Sequence, residues 1–569
     1  MDAELRCRIC TGTTTLLWPG SRSEADGSGF APSCHRPGEH GDLFRCDECG
    51  TVQQPALPEG DALHELYRSM RDDDYLAEDE GRRITARRLL DLVGEQTPTG
   101  RLLDVGCGHG LLLDEARRRG YEVQGLELSV DGAAYARDTL GLPVRETILE
   151  DPALDDERYD AIVLADVIEH LDDPLGAIDR CIELLVPGGS LLIVTPDPSS
   201  PTARLAGSRW WGFLPAHFCL IPRLTLRELV SARGLVIARD LPFVRSFTPG
   251  YWLAGLGERG GRVGDAIAGI SRRLPKDRHL SASLGDERVI LANKTLVQQP
   301  DVPLVTDRGG PLKVHVVLPA YGASRTVRQV ADALPVAAAD RALLVDDDSP
   351  DDTPAAALAA GFEVLVHPAN RGYGANQKTC YVRAALDGAD IVVMVHADDQ
   401  YDPGLVAEMV EPIAAGRADV VIGSRLLEDE AISGGMPRWK WVGNRGLTWA
   451  ENRAFRRDFS EYHTGYRAFS VDFLRQIAFL RNDDGFVFDQ EIFAQIVAAG
   501  GRVEEMAIPT RYFLEASSVS FWASVEYGLR TLGVLARFRA DERRGRWSLL
   551  RRPAVRLGTA PERAGNAPE

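Results

Sequence analysis

No stretch of this chain carries the roughly 18–20 consecutive apolar residues that a membrane-spanning helix needs, which excludes an integral membrane protein of the helical kind. Positive charge is in the minority. Lys and Arg number 65 against 84 Asp and Glu, a formal charge of −19, and a surface of that sign repels a phosphate backbone. Nucleic acid is therefore excluded as a general partner. The first residues, MDAELRCRIC, lack a basic segment followed by an apolar one, so no secretory leader is expected. Cysteine is scarce, nine in all and odd in number, with several in apolar or glycine-rich surroundings. That usage fits a reducing, cytoplasmic setting better than a disulfide framework.

What is present is ordinary in bulk and specific in detail. Hydrophobic residues at 44% and charged residues at 26% are those of a soluble globular chain, and 569 residues are too many for one core. One segment breaks the acidic balance. From Arg537 to Arg556 eight arginines stand against Asp541 and Glu542, interleaved with Phe538, Trp547, Leu549 and Leu550. Such a segment suits contact with an anionic membrane surface, and a solvated helix end with a frayed terminus would read the same way. The residues from 557 onward read as disordered.

Near the start, Cys7-Arg-Ile-Cys10 and Cys46-Asp-Glu-Cys49 form two CxxC pairs. Four thiolates from two such turns can surround Zn²⁺ tetrahedrally and hold together a segment too small for its own core. Four protein ligands leave no open position, so the expected zinc is structural. Cys34 and His35, in the Gly/Ser/Pro-rich interval, are substitute ligands; a redox dithiol pair is the rival reading.

The stretch RLLDVGCGHG (101–110) is a short β run ending in Gly106-x-Gly108-x-Gly110 and passing into a helical run. Glycines there let backbone N–H groups approach a ligand at a helix N-terminus. A second strand, YEVQGLEL, ends in Glu127, placed to take ribose hydroxyls. The alternation continues through YDAIVLAD, VIEHLDDP, a helix, and VPGGSLLIVTPD. This order resembles the class I S-adenosylmethionine-dependent methyltransferases, carried by DVGCGHG, GLELS, DVIEHLDDP and LLVPGGSLLIVTPD over about 51–296; a dinucleotide-binding Rossmann unit is the rival. The resemblance implies that Asp104, Gly106, Gly108 and Glu127 hold S-adenosylmethionine, with Asp166 beside its methionine portion. It implies that His170 and His217 face the methyl acceptor. A helix-start hydrogen bonder and a satisfied histidine beside aromatics are their plain alternatives. Trp210, Trp211 and Phe213 are candidate walls of the acceptor pocket, or plain core.

Residues 297–311, with three prolines and two glycines, read as a linker. A second α/β pattern follows: KVHVVLPAY, RALLVDDDSPDD, FEVLVHP, NRGYGANQKT and DIVVMVHADDQYDP. Alternating strands and helices imply a parallel sheet with ligands at its carboxyl edge. Acids at two strand ends, Asp346 with Asp347 and Asp398 with Asp399, imply a cleft in which a divalent cation relieves their repulsion and meets a diphosphate. With VIGSR, HTGYRAFS and FVFDQE, this half resembles family-2 glycosyltransferases of the GT-A fold, of the dolichol-phosphate-mannose-synthase-like branch.

That resemblance implies a nucleotide-sugar donor, with Asp346 and Asp347 at the nucleoside and His396, Asp398 and Gln400 as the triad for Mg²⁺ or Mn²⁺. Asp398 then serves catalysis as well. Arg425 is expected at phosphate, with a surface salt bridge as its alternative. Asp489 and Glu491 line the sugar and acceptor side, Asp489 as general base if the acceptor is a hydroxyl. Two departures stand out. His396 replaces the first acid of the family's Asp-x-Asp signature and suits Mn²⁺ better than Mg²⁺. Glu515-Ala516-Ser517-Ser518 stands where members using a polyprenyl phosphate carry basic residues, although Arg511 and the basic tail could compensate. The run from Phe521 to Phe538 has the period of an amphipathic helix.

The expected fold class is α/β: two Rossmann-like domains, a methyltransferase sheet (51–296) and a GT-A sheet (312–545), with a zinc-ribbon-like module (1–50), the linker (297–311) and a flexible basic tail (546–569). The expected function is methyl transfer joined to metal-dependent, inverting sugar transfer. The acceptor is a small molecule, a glycan or a lipid-linked species, and the site is cytoplasmic or at the inner membrane face. One half acting only as a recognition module, or the whole as a membrane-surface scaffold, are the alternatives.

Overall fold

The computed structural model describes residues 5–20, 40–55, 61–68, 75–257, 274–275, 277–427, 438–509, 521–544, 547–555 and 557. Cys34, His35, Arg511 and residues 515–518 lie outside them. The chain divides into two compact units, one of residues 1–230 and 237–294, the other of 231–236 and 295–569.

In the first unit a seven-stranded sheet runs in the order Leu235–Pro242, Glu287–Lys294, Leu185–Pro196, Tyr159–Ala165, Arg101–Val105, Glu122–Leu126, Val144–Arg145. The last five are mutually parallel, and Glu287–Lys294 pairs antiparallel with Leu185–Pro196. Apolar side chains fill both faces: Leu102, Ala161, Val163, Leu192 and Leu291 are buried among helix residues such as Leu90 and Leu113. Strands covered on both sides read as near-continuous apolar runs, as YDAIVLA does. From Arg101–Val105 the chain moves outward to Glu122–Leu126 and Val144–Arg145, then returns to pair on the other side through Tyr159–Ala165. A crevice opens at the carboxyl edge where that direction reverses. Below VIEHLDDP the helix Pro174–Leu184 starts with Pro174 in its first turn, and Asp173 Oδ1 accepts the N–H of Gly176 at 2.9 Å.

The cysteine segment shares a sheet with the first unit. Its strands Thr14–Trp18, Leu43–Cys46 and Val52–Gln53 continue into Cys219–Leu220, so the four-stranded sheet is completed by the first unit itself. Trp210 and Phe213 pack with Leu43, Val52 and Leu220 beneath it. Both indole N–H groups, of Trp210 and Trp211, donate to Asp286 Oδ2. These aromatics are core that seats the small sheet rather than a pocket wall; two flat, strand-poor layers need large side chains to fill the space between them.

The second unit holds an eight-stranded sheet in the order Val297–Gln298, Glu363–Val366, Arg341–Asp346, Val314–Ala320, Ile391–Met394, Arg467–Ser470, Val420–Ser424, Val503–Ala507. The middle run from Glu363–Val366 to Ile391–Met394 is parallel, and Arg467–Ser470 inserts antiparallel on both sides. The presumed linker is structured: Val297–Gln298 pairs with Glu363–Val366, Leu304 N–H donates to Gly361, and Arg308 pairs with Asp340. Its prolines and glycines mark an edge strand and turns, not free chain. The helix Phe521–Arg544 packs through Val534, Leu535 and Phe538. In the described part of the tail Leu549 and Leu557 are buried, and their carbonyls accept from Gln495 (2.9 Å) and Arg475 (2.9 Å). That stretch is docked, because its apolar residues outweigh its arginines in packing. Among the described residues no helix is long and apolar enough to cross a membrane.

Candidate functional sites

At the carboxyl edge of the first sheet, Gly106, Gly108 and Gly110 all have left-handed backbone, with φ of 67°, 53° and 76°. A Cβ at Gly106 would stand 2.8 Å from Val167 and one at Gly110 2.7 Å from Leu142, so conformation and space both demand glycine. Beneath this loop lie two buried acids. Glu127 Oε2 accepts the N–H of Gly108 at 2.7 Å and Oε1 that of Ser129 at 2.6 Å, which fixes the carboxylate against the glycine turn. Asp104 is pushed up to about 8 by burial and then by the Glu127 charge; Glu127 is itself raised by burial. Such a pair, in an N–H-rich turn, fits hydroxyl and amino groups of S-adenosylmethionine as hydrogen-bond partners. Asp166 has a φ of 58° at the end of Tyr159–Ala165, and both its oxygens accept from Arg245 Nη2 at 2.8 Å. It is therefore ion-paired within the protein.

His170 and His217 meet: their rings are 4.8 Å apart, edge to face. Nδ1 of His217 donates to the Gly212 carbonyl at 2.8 Å, and Nδ1 of His170 lies 3.0 Å from Tyr67 Oη. Burial pushes His217 down to about 4; burial and then His217 hold His170 well below the usual imidazole range. Both rings are neutral near pH 7.

In the cysteine cluster Cys7 Sγ is 3.6 Å from Cys49 Sγ and Cys10 Sγ is 3.3 Å from Cys46 Sγ, with all four within 4.8 Å of one another. Bonds of about 2.3 Å to a tetrahedral zinc place sulfurs about 3.8 Å apart, so this set fits Zn²⁺ with little movement.

In the second unit the acidic strand ends lie on one edge. Ala320 is in register with Asp346, Val317 with Met394, so Asp346–Asp347 and Asp398 flank a single intervening strand. The first pair needs no cation to relieve it. Asp346 accepts from the N–H and hydroxyl of Ser349, and Asp347 from His367 Nδ1 (2.7 Å) and from the N–H groups of Arg371 and Gly372 (both 2.8 Å). Among the described residues Asp398 Oδ1 takes the N–H of Gln400, at 3.2 Å. His396 is half-buried with Nε2 3.2 Å from Tyr373 Oη, and desolvation lowers its pKa against the pull of Asp398 and Asp489. An imidazole nitrogen and a carboxylate are donors of the kind that suit Mn²⁺. Asp348 and Asp399 both have a φ of 58°, the same left-handed turn that Asp166 makes in the other sheet.

Arg425 does not present a free fork. Its Nε and Nη2 engage the buried carboxylate of Glu461, and Nη2 also donates to the His463 carbonyl at 2.7 Å. Asp489 Oδ1 accepts from Arg467 Nη1 (2.8 Å) and Gln377 Nε2 (3.1 Å). Glu491 accepts the N–H of Asp483 and is raised by burial.

The family described as "Methyltransferase domain" matches residues 76–239, and "Glycosyl transferase family 2" matches 315–478. The chain joins a methyltransferase domain to a family 2 glycosyl transferase domain. Ubiquinone biosynthesis O-methyltransferase of Cereibacter sphaeroides is 38% identical over 117 residues, and that of Alkalilimnicola ehrlichii 40% over 118, each alignment covering 19% of this chain. The chain spans about half the length of these relatives, 47% and 48%. An uncharacterized protein of Methanocaldococcus jannaschii is 28% identical over 35% of this chain and 82% of its own. Among solved structures, glucosyl-3-phosphoglycerate synthase from Mycobacterium tuberculosis is 19% identical with a TM-score of 0.33, over 40% of this chain and 81% of that one. The 4+2 cyclase SpnF is 24% identical with a TM-score of 0.27, over 36% and 80%.

Several residues at these sites were not singled out from sequence. In the methyltransferase domain Tyr75 faces Gly108, stacks on His109 (4.6 Å) and lies under the Arg82 guanidinium at 3.8 Å. Glu169, one residue before His170, is 1% exposed. In the glycosyl transferase domain Arg467 is fully buried against Asp489, and His463 joins Glu451 (3.0 Å) to Tyr527 (3.0 Å). The motif HTGYRAFS contains both; their partners sit far off in sequence.

Proposed function

We propose that the protein is a bifunctional enzyme: S-adenosylmethionine-dependent methyl transfer in one unit, and inverting, cation-assisted sugar transfer from a nucleotide-sugar in the other. The joint product would be a methylated glycan, glycolipid or glycosylated metabolite. One observation carries this reading. In each sheet the acids named from sequence stand at the carboxyl edge where the strand order reverses, in the first sheet beside a glycine turn.

In the methyltransferase domain S-adenosylmethionine supplies an activated methyl group. Asp104 and Glu127 hold its polar groups below the Gly106–Gly110 turn, Tyr75 closes over it, and His170 and His217 line the acceptor side. The Cys7, Cys10, Cys46 and Cys49 site holds zinc structurally. In the glycosyl transferase domain Asp346 and Asp347 are held rigid for the nucleoside by their hydrogen bonds. His396, Asp398 and Gln400 would hold Mn²⁺, which offsets charge gathering on the departing diphosphate. Asp489, held in place by Arg467, accepts the proton of a hydroxyl acceptor. Arg425, bound to Glu461, shapes this site through the His463 carbonyl.

A lipid-linked acceptor is favoured by a specific feature. Helix Arg438–Phe455 exposes Trp439, Val442 and Trp449 along one face, and helix Phe521–Arg544 exposes Val525, Leu529 and Leu532. Apolar stripes beside arginines suit an anionic bilayer surface.

Calorimetry on the full chain tests the main reading. S-adenosylmethionine should bind, and Asp104→Ala or Glu127→Ala should abolish that while sparing donor binding; Asp398→Ala should do the reverse with a nucleotide-sugar and Mn²⁺. Normal binding of both ligands by both variants would refute the sites.

A further inference from the structure

Glu169, His170 and His217 each offer a ligand atom lying within 4.8 Å of the other two. All three are anchored from behind. Glu169 Oε2 accepts from Thr195 Oγ1 at 3.0 Å, His217 Nδ1 donates to Gly212, and the His170 ring meets Tyr67 Oη through Nδ1 and also donates to the Ala216 carbonyl. Partners of this kind orient metal-binding side chains and leave their other ends directed at a common point. One of those ends is unsatisfied: Glu169 Oε1 is buried and has no hydrogen-bond partner. An ionised carboxylate there lacks a cation, since Arg245 is engaged by Asp166 and Glu287. A protonated one would need an acceptor, and Oε1 has none. Either way the group is costly as it stands.

We propose that Glu169, His170 and His217 hold a divalent cation that receives an oxygen of the methyl acceptor. Two imidazoles and a carboxylate suit Mn²⁺, Fe²⁺, Co²⁺ or Zn²⁺ better than Mg²⁺ or Ca²⁺. Bonds of about 2.1 Å set such ligands about 3.4 Å apart, which small rotations from the present spacing reach. Three protein ligands leave positions open for a hydroxyl-bearing acceptor. On binding, that hydroxyl releases its proton to solvent because the cation stabilises the oxyanion. The oxygen then forms a bond to the methyl carbon as the carbon–sulfur bond breaks, its electron pair returning to sulfur. The idea rests on the methyl-transfer reading above and adds the acceptor class, an alcohol, phenol or enediol.

The test uses Mn²⁺ alone on the full-length, zinc-loaded chain carrying His396→Ala and Asp398→Ala, which removes the other proposed cation site. Free Mn²⁺ is measured by electron paramagnetic resonance. One bound equivalent is expected, with nitrogen couplings from two imidazoles, and its loss in a further Glu169→Gln or His217→Gln variant that still melts cooperatively and binds S-adenosylmethionine. No bound equivalent, no imidazole coupling, or an equivalent that survives both substitutions would overturn the proposal and leave a water-filled cluster. Methyl transfer at full rate by chelator-treated protein would also overturn it while the methyltransferase reading stands. Failure of the parent chain to bind S-adenosylmethionine would instead strike that reading.

Discussion

The Gln54 side chain holds the backbone of His217: its amide Nε2 donates to the His217 carbonyl at 2.9 Å and to those of Leu214 and Pro215 at 3.0 Å. Gln54 lies five positions beyond Cys49, and Thr225 Oγ1 donates to the Cys49 carbonyl from the other side. The cysteine segment therefore clamps the loop that carries His217.

Gln54→Ala should leave those carbonyls short of a donor, at a cost of about 1–3 kcal/mol. Methyl transfer should fall while S-adenosylmethionine affinity, set at the Gly106–Gly110 turn, stays unchanged in calorimetry. Stripping the zinc should reproduce that split. Equal loss of cofactor binding would show that the segment supports the whole domain rather than one loop.

Arg467 is fully buried, pairs with Asp489, donates to the Tyr462 carbonyl at 3.2 Å and lies 4.9 Å over Phe493. Arg467→Met keeps much of the packing but leaves Asp489 without its cation. Breaking a buried pair from one side costs about 3–5 kcal/mol, so denaturant midpoints should drop clearly. Replacing both residues, as Arg467→Met with Asp489→Asn, should recover a good part of that stability without recovering sugar transfer.

His463 makes the second domain's stability depend on pH in a definite direction. Burial lowers its pKa, but the Glu451 carboxylate at 3.0 Å and the more distant Glu461 outweigh that and the opposing Arg425, so the net shift is upward. A raised histidine contributes stability that is fully present below its unfolded value of about 6.5 and is lost as pH rises through the folded value. Urea midpoints taken from pH 6 upward should therefore decline, and Glu451→Gln should flatten the decline. A wild-type curve equally flat would contradict the ion pair.

Much of this was legible from residues close together in sequence. DVGCGHG and GLEL specify a strand, a turn that only glycine can make, and an acid at the end of the neighbouring strand, and those elements form where they were read. What was not legible needed a partner from elsewhere. VIGSR shows an arginine fit for phosphate, but Glu461, 36 residues on, occupies its fork. VDDDSPDD shows crowded acids, but Ser349, His367 and Gly372 satisfy them. The prolines of 297–311 suggest free chain, yet Val297–Gln298 finds the open edge of Glu363–Val366. Glu169 hid inside the IEH motif because a buried acid has no periodic signature.

The exposed stripes of Trp439, Val442, Trp449, Leu529 and Leu532 predict binding to vesicles containing anionic lipid and little to neutral ones, weakening as salt rises. Trp449→Ser with Leu529→Ser should reduce co-sedimentation several-fold without changing donor binding. Retention of full binding would assign those faces another use.

Gly465 offers the sharpest single-residue test of the sugar-transfer site. A Cβ there would stand 2.2 Å from His396 Nε2, nearer than any contact a real side chain tolerates. The glycine N–H also donates to Tyr401 Oη at 2.9 Å, and Tyr401 packs against the His396 ring at 5.2 Å, so the backbone cannot easily withdraw. Gly465→Ala must therefore push His396 out of place. Mn²⁺-dependent donor binding should fall by at least tenfold, about 1.4 kcal/mol, with methyl transfer unaffected. Adding His396→Ala removes the clash and should restore the fold's melting temperature but not the metal dependence. If Gly465→Ala alone bound Mn²⁺ and donor normally, His396 would have no part in holding the cation, and Asp398 would carry that role without it.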